Sequence, residues 1–176
     1  MVRKLKYHER KLLKKVDFIN WEGTNIKEIS VMRKYHITRD EYTKYNKLAQ
    51  QIRKLVEKIS ALPNDQFRIQ CSAELTDRLY TCGIIQTKRL KKCSLITAKS
   101  FCRRRLPVLM IQSGMFSAPL SVAVKYVKHG HVRVGPNVVK DPALLVNRNQ
   151  EDFITWTDKF QEKIADYKDD HDDYVD

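Results

Sequence analysis

The sequence predicts an α+β fold in which an N-terminal helical region packs on a small helix–helix–β-hairpin module. Three features point to it. Helical apolar spacing dominates residues 38–100. Two short apolar helices follow, punctuated by Gly114 and Gly130. A strand-like alternation then appears in His131-Val132-Arg133-Val134, just ahead of the turn residues Gly135-Pro136-Asn137.

The first segment, residues 1–37, reads as a basic arm. Within residues 1–18 the cations Arg3, Lys4, Lys6, Arg10, Lys11, Lys14 and Lys15 outnumber Glu9 and Asp17. Leu5, Leu12, Leu13 and Val16 interrupt the charge. This pattern suits an arm that orders on RNA, with Tyr7 and His8 able to stack on bases, and equally an amphipathic helix lying on the body. Basic runs of this kind also serve nuclear import. Asn20 to Asn25 reads as a turn.

A helical region is expected over 38–100. Thr38-x-x-Glu41 is a capping box opening a helix that runs to about Ala61. Tyr45, Leu48, Ile52, Leu55, Ile59 and Leu62 alternate three and four apart, which makes one apolar seam. The seam suits core packing or a groove for another protein's helix. Pro63-Asn64-Asp65 stops the helix, and a second one is expected from Asp65 to Cys82, with Phe67, Leu75 and Leu79 inward and Gly83 as its stop. The two are expected to lie antiparallel. From Gln86 to Arg105 come Lys88, Arg89, Lys91, Lys92, Lys99, Arg103, Arg104 and Arg105 with no acid among them. A solvated helical face normally intersperses acids with its bases, so this run points to a polyanion.

The module is expected over 101–160. Pro107 fits the first turn of a helix from Leu106 to Gln112, and Gly114 ends it. Ser117 is the expected N-cap of the next helix, with Pro119 just inside. Its buried face is Leu120, Ala123, Val124 and Val127, its outer face carries Lys125 and Lys128, and Gly130 closes it. Val138 and Val139 begin a return strand that Asp141-Pro142 ends. Phe153, Ile154, Trp156 and Phe160 suit a further strand closing the sheet, with Trp156 in the core. Residues 161–176 read as an acidic tail, and Asp166-Tyr167-Lys168-Asp169-Asp170 within it resembles an epitope tag.

Charge bounds the function. The chain carries +13 overall with a pI near 9.6. Residues 162–176 hold seven acids against two lysines, so residues 1–161 carry +18. Segregation of that kind predicts an anionic partner for the body. Cys71, Cys82, Cys93 and Cys102 form no CxxC pair and read as reduced thiols of an intracellular protein. No signal peptide, membrane span or internal repeat is expected. No phosphate loop, HExxH, GxSxG or cysteine–histidine context suggests an enzyme, and no cofactor or metal is expected. His129 and His131 flank Gly130 without further ligands nearby.

The order helix, Gly114, short helix, then Gly130-His131-Val132-x-Val134-Gly135-x-x-Val138 and Pro142 resembles the RNA-binding domain family named after small-subunit ribosomal protein four. Met1 to Glu9, Lys11 to Phe18, Arg103-Arg104-Arg105-Leu106-Pro107 and Glu151-Asp152-Phe153-Ile154-Thr155-Trp156 resemble the branch of that family found in the U-three small nucleolar ribonucleoprotein, a component of the small-subunit processome. The resemblance implies a non-enzymatic nucleolar factor of early ribosomal RNA processing. Its partners would be the U-three small nucleolar RNA, precursor ribosomal RNA and a scaffold protein of the M-phase phosphoprotein ten type, with no membrane and no small-molecule substrate. Its action would be to promote or stabilise pairing of the guide RNA with the precursor. A structural ribosomal protein of the same family, or chiefly a protein-interaction adaptor, are the alternatives. Together, charge and resemblance assign RNA binding to Arg103, Arg104, Arg105, Lys88, Arg89, Lys91, Lys92, Lys125, Lys128, His131, Arg133, Lys140, Lys4, Lys6, Lys11 and Lys14.

Overall fold

A computed structural model describes residues 3–16 and 25–164 of the chain. The turn expected at Asn20–Asn25, apart from Asn25, and the acidic tail from residue 165 onward lie outside the described residues. The architecture is α+β: helices followed by one three-stranded antiparallel sheet.

Helix α1 (Tyr7–Lys15) begins at Lys6, whose backbone N–H donates to Glu9 Oε2 at 2.8 Å, and it buries none of its residues. Helix α2 (Ile26–Tyr35) ends where His36 turns left-handed at φ 48°. Residues 26–37 fall within the expected basic arm, yet Val31, Tyr35 and Ile37 are buried in the core.

Helix α3 (Arg39–Ala61) opens on the expected capping box: Thr38 N–H donates to Glu41 Oε2 at 2.8 Å, and Glu41 N–H donates back to Thr38 Oγ1 at 3.3 Å. Its buried line is Tyr45, Ala49, Val56 and Ile59, with Ile52 half-buried. The predicted seam is therefore out of phase by one residue at two places. Leu48 and Leu55 are exposed, and the smaller Ala49 and Val56 take the inward positions, where they share a core with Leu79 and Phe101. Helix α4 (Gln66–Thr81) is capped by Asp65, whose carboxylate accepts from Gln66 N–H at 2.7 Å. Leu79 points inward as expected, but Phe67 is 61% exposed. Gly83 stops the helix at φ +73°, with its N–H donating to Tyr80 O and that of Ile84 to Leu79 O.

Short helices α5 (Leu90–Cys93) and α6 (Ala98–Cys102) place Cys93, Ile96, Ala98, Phe101 and Cys102 in the first core, where Phe101 stacks on Tyr45 at 5.8 Å. Helix α7 (Leu106–Gln112) has the expected bounds. Helix α8 (Leu120–Lys128) starts later than Ser117 implies; Pro119 is its N-cap and its carbonyl accepts from Val122 and Ala123 N–H. Gly114 and Gly130 close the two helices at φ +75° and +76°.

Strand β1 (Val132–Val134) lies between β2 (Asn137–Val139) and β3 (Ile154–Trp156), antiparallel to both. The hairpin loop is Gly135-Pro136, since Val134 pairs with Asn137. Gly135 takes φ +58°, and Pro136 excludes the turn that needs positive φ at both loop positions, leaving the form with glycine first. The expected closing strand from the 151–160 segment is present, preceded by α9 (Arg148–Glu151). A second core forms here from Leu106, Leu109, Met110, Val127, Val132 and Ile154, with Trp156 packed at its margin.

The two cores meet at residues 104–106. Leu106 N–H donates to Leu144 O at 3.0 Å and Val146 N–H to Arg104 O at 2.9 Å, so this junction runs antiparallel to 144–146. Arg148 adds a second tie, donating to Tyr80 O at 2.9 Å and Ile85 O at 3.0 Å while its guanidinium lies 4.2 Å over the Tyr80 ring.

Candidate nucleic-acid interface

The acid-free run between Gln86 and Arg105 divides sharply once folded. Arg89 caps α5, Lys91 and Lys92 stand on it, and Arg103 caps the C-terminal end of α6; all four are exposed. A cleft of about 320 Å³ has Lys92, Ser100 and Arg103 on its wall. A second, of about 350 Å³, has Arg103 together with Lys34, Gln112 and Leu120. Arg103 is thus shared by two adjoining clefts, and the cationic edge runs from the end of α2 across Arg103 to α5. Lysine and arginine clustered on such an edge displace counterions from a phosphate backbone, which drives association.

Arg104 and Arg105 depart from expectation. Arg104 is 9% exposed: its Nε and Nη2 donate to Val146 O at 3.1 and 2.7 Å, and its Nη1 meets Glu151 Oε2 at 3.0 Å. Arg105 is 2% exposed, with Nη1 3.0 Å from Glu41 Oε2 and 3.5 Å from the Tyr45 hydroxyl. Consecutive residues at a tight helix junction point in different directions, so two of the three arginines turn inward. They hold the junction together and are removed from the candidate RNA-binding set. A buried charge requires such partners, and these two have them.

Other expected cations are engaged. Lys88 lies 2.8 Å from Asp77 Oδ1 and over the Tyr80 ring, and the Asp77 bond raises its pKa. Arg133 alternates outward between Val132 and Val134, where its Nε donates to Thr155 Oγ1 at 3.0 Å and its Nη2 lies 2.9 Å from Asp158. His131 stacks on Phe160 at 4.4 Å. Burial first, then the charges of His129 and Lys163, hold its imidazole below the ordinary value, so it presents a neutral ring at neutral pH.

Lys125 and Lys128 are exposed on α8, whose first residue, Leu120, borders the Arg103 cleft. Lys140 is exposed beside Gly130, where a Cβ would meet its side chain at 3.3 Å. Lys4, Lys6, Lys11 and Lys14 are exposed on and before α1, with Lys11 Nζ 6.0 Å from the Tyr7 ring centre. Lys34 was missed by sequence reasoning. It lies far from the basic run in the chain, and no local pattern announces that the end of α2 folds beside Arg103. Among the described residues no group of three or more His, Cys, Asp or Glu is placed to hold a metal ion, and no helix is long and apolar enough to cross a membrane.

Comparison with known proteins divides the chain at the same junction. Residues 4–103 match the Ribosomal protein S4/S9 N-terminal domain and residues 104–152 match the S4 domain. The chain is 49% identical over 181 residues to the human U3 small nucleolar ribonucleoprotein protein IMP3, covering 99% of this chain and 98% of that protein. It is 46% identical over 182 residues to the protein of that name from Saccharomyces cerevisiae, with the same coverage. Small ribosomal subunit protein uS4 of Hyperthermus butylicus is more distant, at 24% over 133 residues and 74% of each chain. Full-length identity at this level, carried on both domain matches, leaves one conclusion: the chain belongs to the family of the U3 small nucleolar ribonucleoprotein protein IMP3.

Proposed function

We propose that the chain is an RNA-binding component of a U3 small nucleolar ribonucleoprotein that promotes or stabilises pairing of the U3 RNA with precursor ribosomal RNA, in the nucleolus and without a catalytic step. The observation that carries this reading is the exposed edge of Lys92, Arg103 and Lys34, in a chain whose full-length relatives bear that ribonucleoprotein's name. Two RNA strands repel each other through their phosphates. Cations that hold phosphates of both strands lower that repulsion and raise the rate at which complementary segments meet. The proposed contacts are Arg89, Lys91, Lys92, Arg103, Lys125, Lys128 and Lys140, together with Lys4, Lys6, Lys11 and Lys14 of the basic arm.

In this reading the chain divides into a basic arm (1–37), a helical region (38–100), an RNA-binding module (101–160) and an acidic tail (161–176), with Arg104 and Arg105 pinning the module to the helical region. The scaffold partner, a protein of the M-phase phosphoprotein ten type, finds its best support in an open groove of about 390 Å³ between α3 and α4. Leu55, Ile59, Leu62, Phe67 and Leu75 line it, an apolar surface of the sort that receives an apolar helix.

The test is annealing of a short U3 RNA segment to its precursor complement across a salt series. Wild type is compared with the Lys91→Ala/Lys92→Ala/Arg103→Ala protein, both shown folded by circular dichroism. Faster duplex formation by wild type, lost in the variant and steeply salt-sensitive, is expected. Equal behaviour of the two proteins, or no acceleration by either, would sink the pairing role and move the weight to an adaptor acting through the α3–α4 groove.

A further inference from the structure

The second core opens on one side into a cleft of about 750 Å³ between the α7–α8 loop, α8, β3 and the helical residues 158–164. Four of its lining residues, Phe116, Tyr126, Trp156 and Phe160, are aromatic, and Met115, Ile154 and Ile164 add apolar surface. Trp156 lies 5.9 Å from Phe116, 5.9 Å from Tyr126 and 5.0 Å from Phe160, with ring planes inclined at 69°, 83° and 43°. The cluster extends outward: Phe160 stacks on His131 at 4.4 Å and 24°, and His131 lies 6.0 Å from His129, which is exposed beside Lys128. Ser117 and Gln161 put a hydroxyl and an amide in the cleft lining, the Thr155 hydroxyl is taken by Arg133 Nε, and among the described residues no carboxylate lines it.

We infer that this aromatic cleft takes an unpaired nucleobase of bound RNA, held by ring stacking and read at its edge by Ser117 or Gln161. The inference rests on the RNA reading proposed above and adds to it a place where a base, not a phosphate, is held. Three observations select this ligand. Four aromatic rings, whose faces stack on any base, line this cleft, whereas the α3–α4 groove has one, Phe67, and includes Glu74. The polar groups suit the donors and acceptors of a base edge. The cluster leads through His131 to His129 and Lys128 at the end of α8, so a nucleotide seated here has its phosphate beside positive charge.

The chain's two tryptophans are Trp21 and Trp156, so Trp21→Phe leaves Trp156 as a single reporter inside the cleft. That protein is titrated with a short mixed-sequence single-stranded RNA carrying a 5′ dye, following Trp156 emission and dye anisotropy in separate titrations. The expected result is saturable quenching of Trp156 with the same midpoint as the anisotropy. Quenching should be lost when the central nucleotides are abasic and when the RNA is a blunt duplex. Phe160→Leu keeps apolar bulk but removes a ring, and should weaken single-stranded binding about tenfold with circular dichroism unchanged. Intact anisotropy with no quenching, or equal quenching by abasic RNA or duplex, overturns the cleft assignment while leaving RNA binding in place. Absence of both signals overturns the cleft assignment and the RNA reading together. Quenching by an apolar peptide but not by RNA also overturns it, making the cleft a protein-docking site.

Discussion

Arg105 Nη1 lies 3.0 Å from Glu41 Oε2, joining the first residue before α7 to the first turn of α3 across the middle of the molecule. The same arginine reaches the Tyr45 hydroxyl at 3.5 Å, and that hydroxyl donates to Ala143 O at 3.5 Å. One side chain therefore touches the helical region, while the backbone on either side of it pairs with 144–146. Removing it leaves Glu41 short of its cation and Tyr45 short of its partner. Arg105→Ala is expected to lower stability by about 3 kcal/mol, with the change in the midpoint of urea unfolding as the measurement.

The Glu41 pair also sets a pH dependence. Burial alone pushes the Glu41 carboxyl up, but the Arg105 bond and the Thr38 backbone bond together outweigh it, and the net shift is downward. A carboxyl whose folded pKa is depressed contributes stability that is complete above its unfolded value and is lost as pH falls through the folded value. The stability gap between wild type and Arg105→Ala should therefore narrow as pH is lowered from 7 through the carboxylate range. A gap that stays constant or widens on acidification would contradict the assigned pair.

Gly83 and Arg104 are locked together by close approach. A Cβ at Gly83 would lie 2.6 Å from Arg104 Cζ, and Gly83 already sits at φ +73°. Gly83→Ala combines backbone strain with displacement of a guanidinium held by Val146 and Glu151, and should cost about 2–3 kcal/mol. Gly114→Ala, with nothing within 4 Å of its Cβ, carries the strain alone, about 1 kcal/mol. Thermal melts of both variants make the comparison, and similar losses would show that the arginine yields freely.

The thiols should sort by position. Cys82 is exposed and Cys71 half-buried, while Cys93 and Cys102 are buried. Burial pushes both interior thiols up, Cys102 to about 11, so little thiolate is present on either at neutral pH. A thiol-reactive reagent at pH 8 should label Cys82 first, Cys71 next, and Cys93 and Cys102 at the rate of unfolding. Mass spectrometry of the digested protein reads the order.

Salt dependence separates surface cations from structural ones. Lys91→Ala/Lys92→Ala/Arg103→Ala should reduce the slope of log affinity against log salt for single-stranded RNA by about 2, from roughly 0.7 per lost phosphate contact. Lys88→Ala should change the slope less, because Asp77 already neutralises that lysine. A slope unchanged by the triple substitution would remove the Arg103 edge from the interface.

The sequence by itself determined whatever rests on neighbours in the chain. The capping box at Thr38, the bounds of α7, the stops at Gly83, Gly114 and Gly130 and the 131–139 hairpin depend on local hydrogen bonds, proline and glycine geometry or short periods. The third strand was legible from the apolar residues around Ile154, and the family from motifs spread over both halves. Tertiary structure decided the rest. Nothing local distinguishes Arg103 from Arg104 and Arg105; their fates differ because Glu151, Val146 and Glu41 come from distant segments and occupy two of the three directions. The phase of the α3 seam likewise depended on which residues of other helices share a core with Ala49 and Val56, and the place of Lys34 on how α2 packs. Periodicity shows that a helix has an inner face, but only the partner's surface shows where that face is centred. A run of like charge shows that a polyanion is near, but only the folded neighbours show which charges remain to meet it.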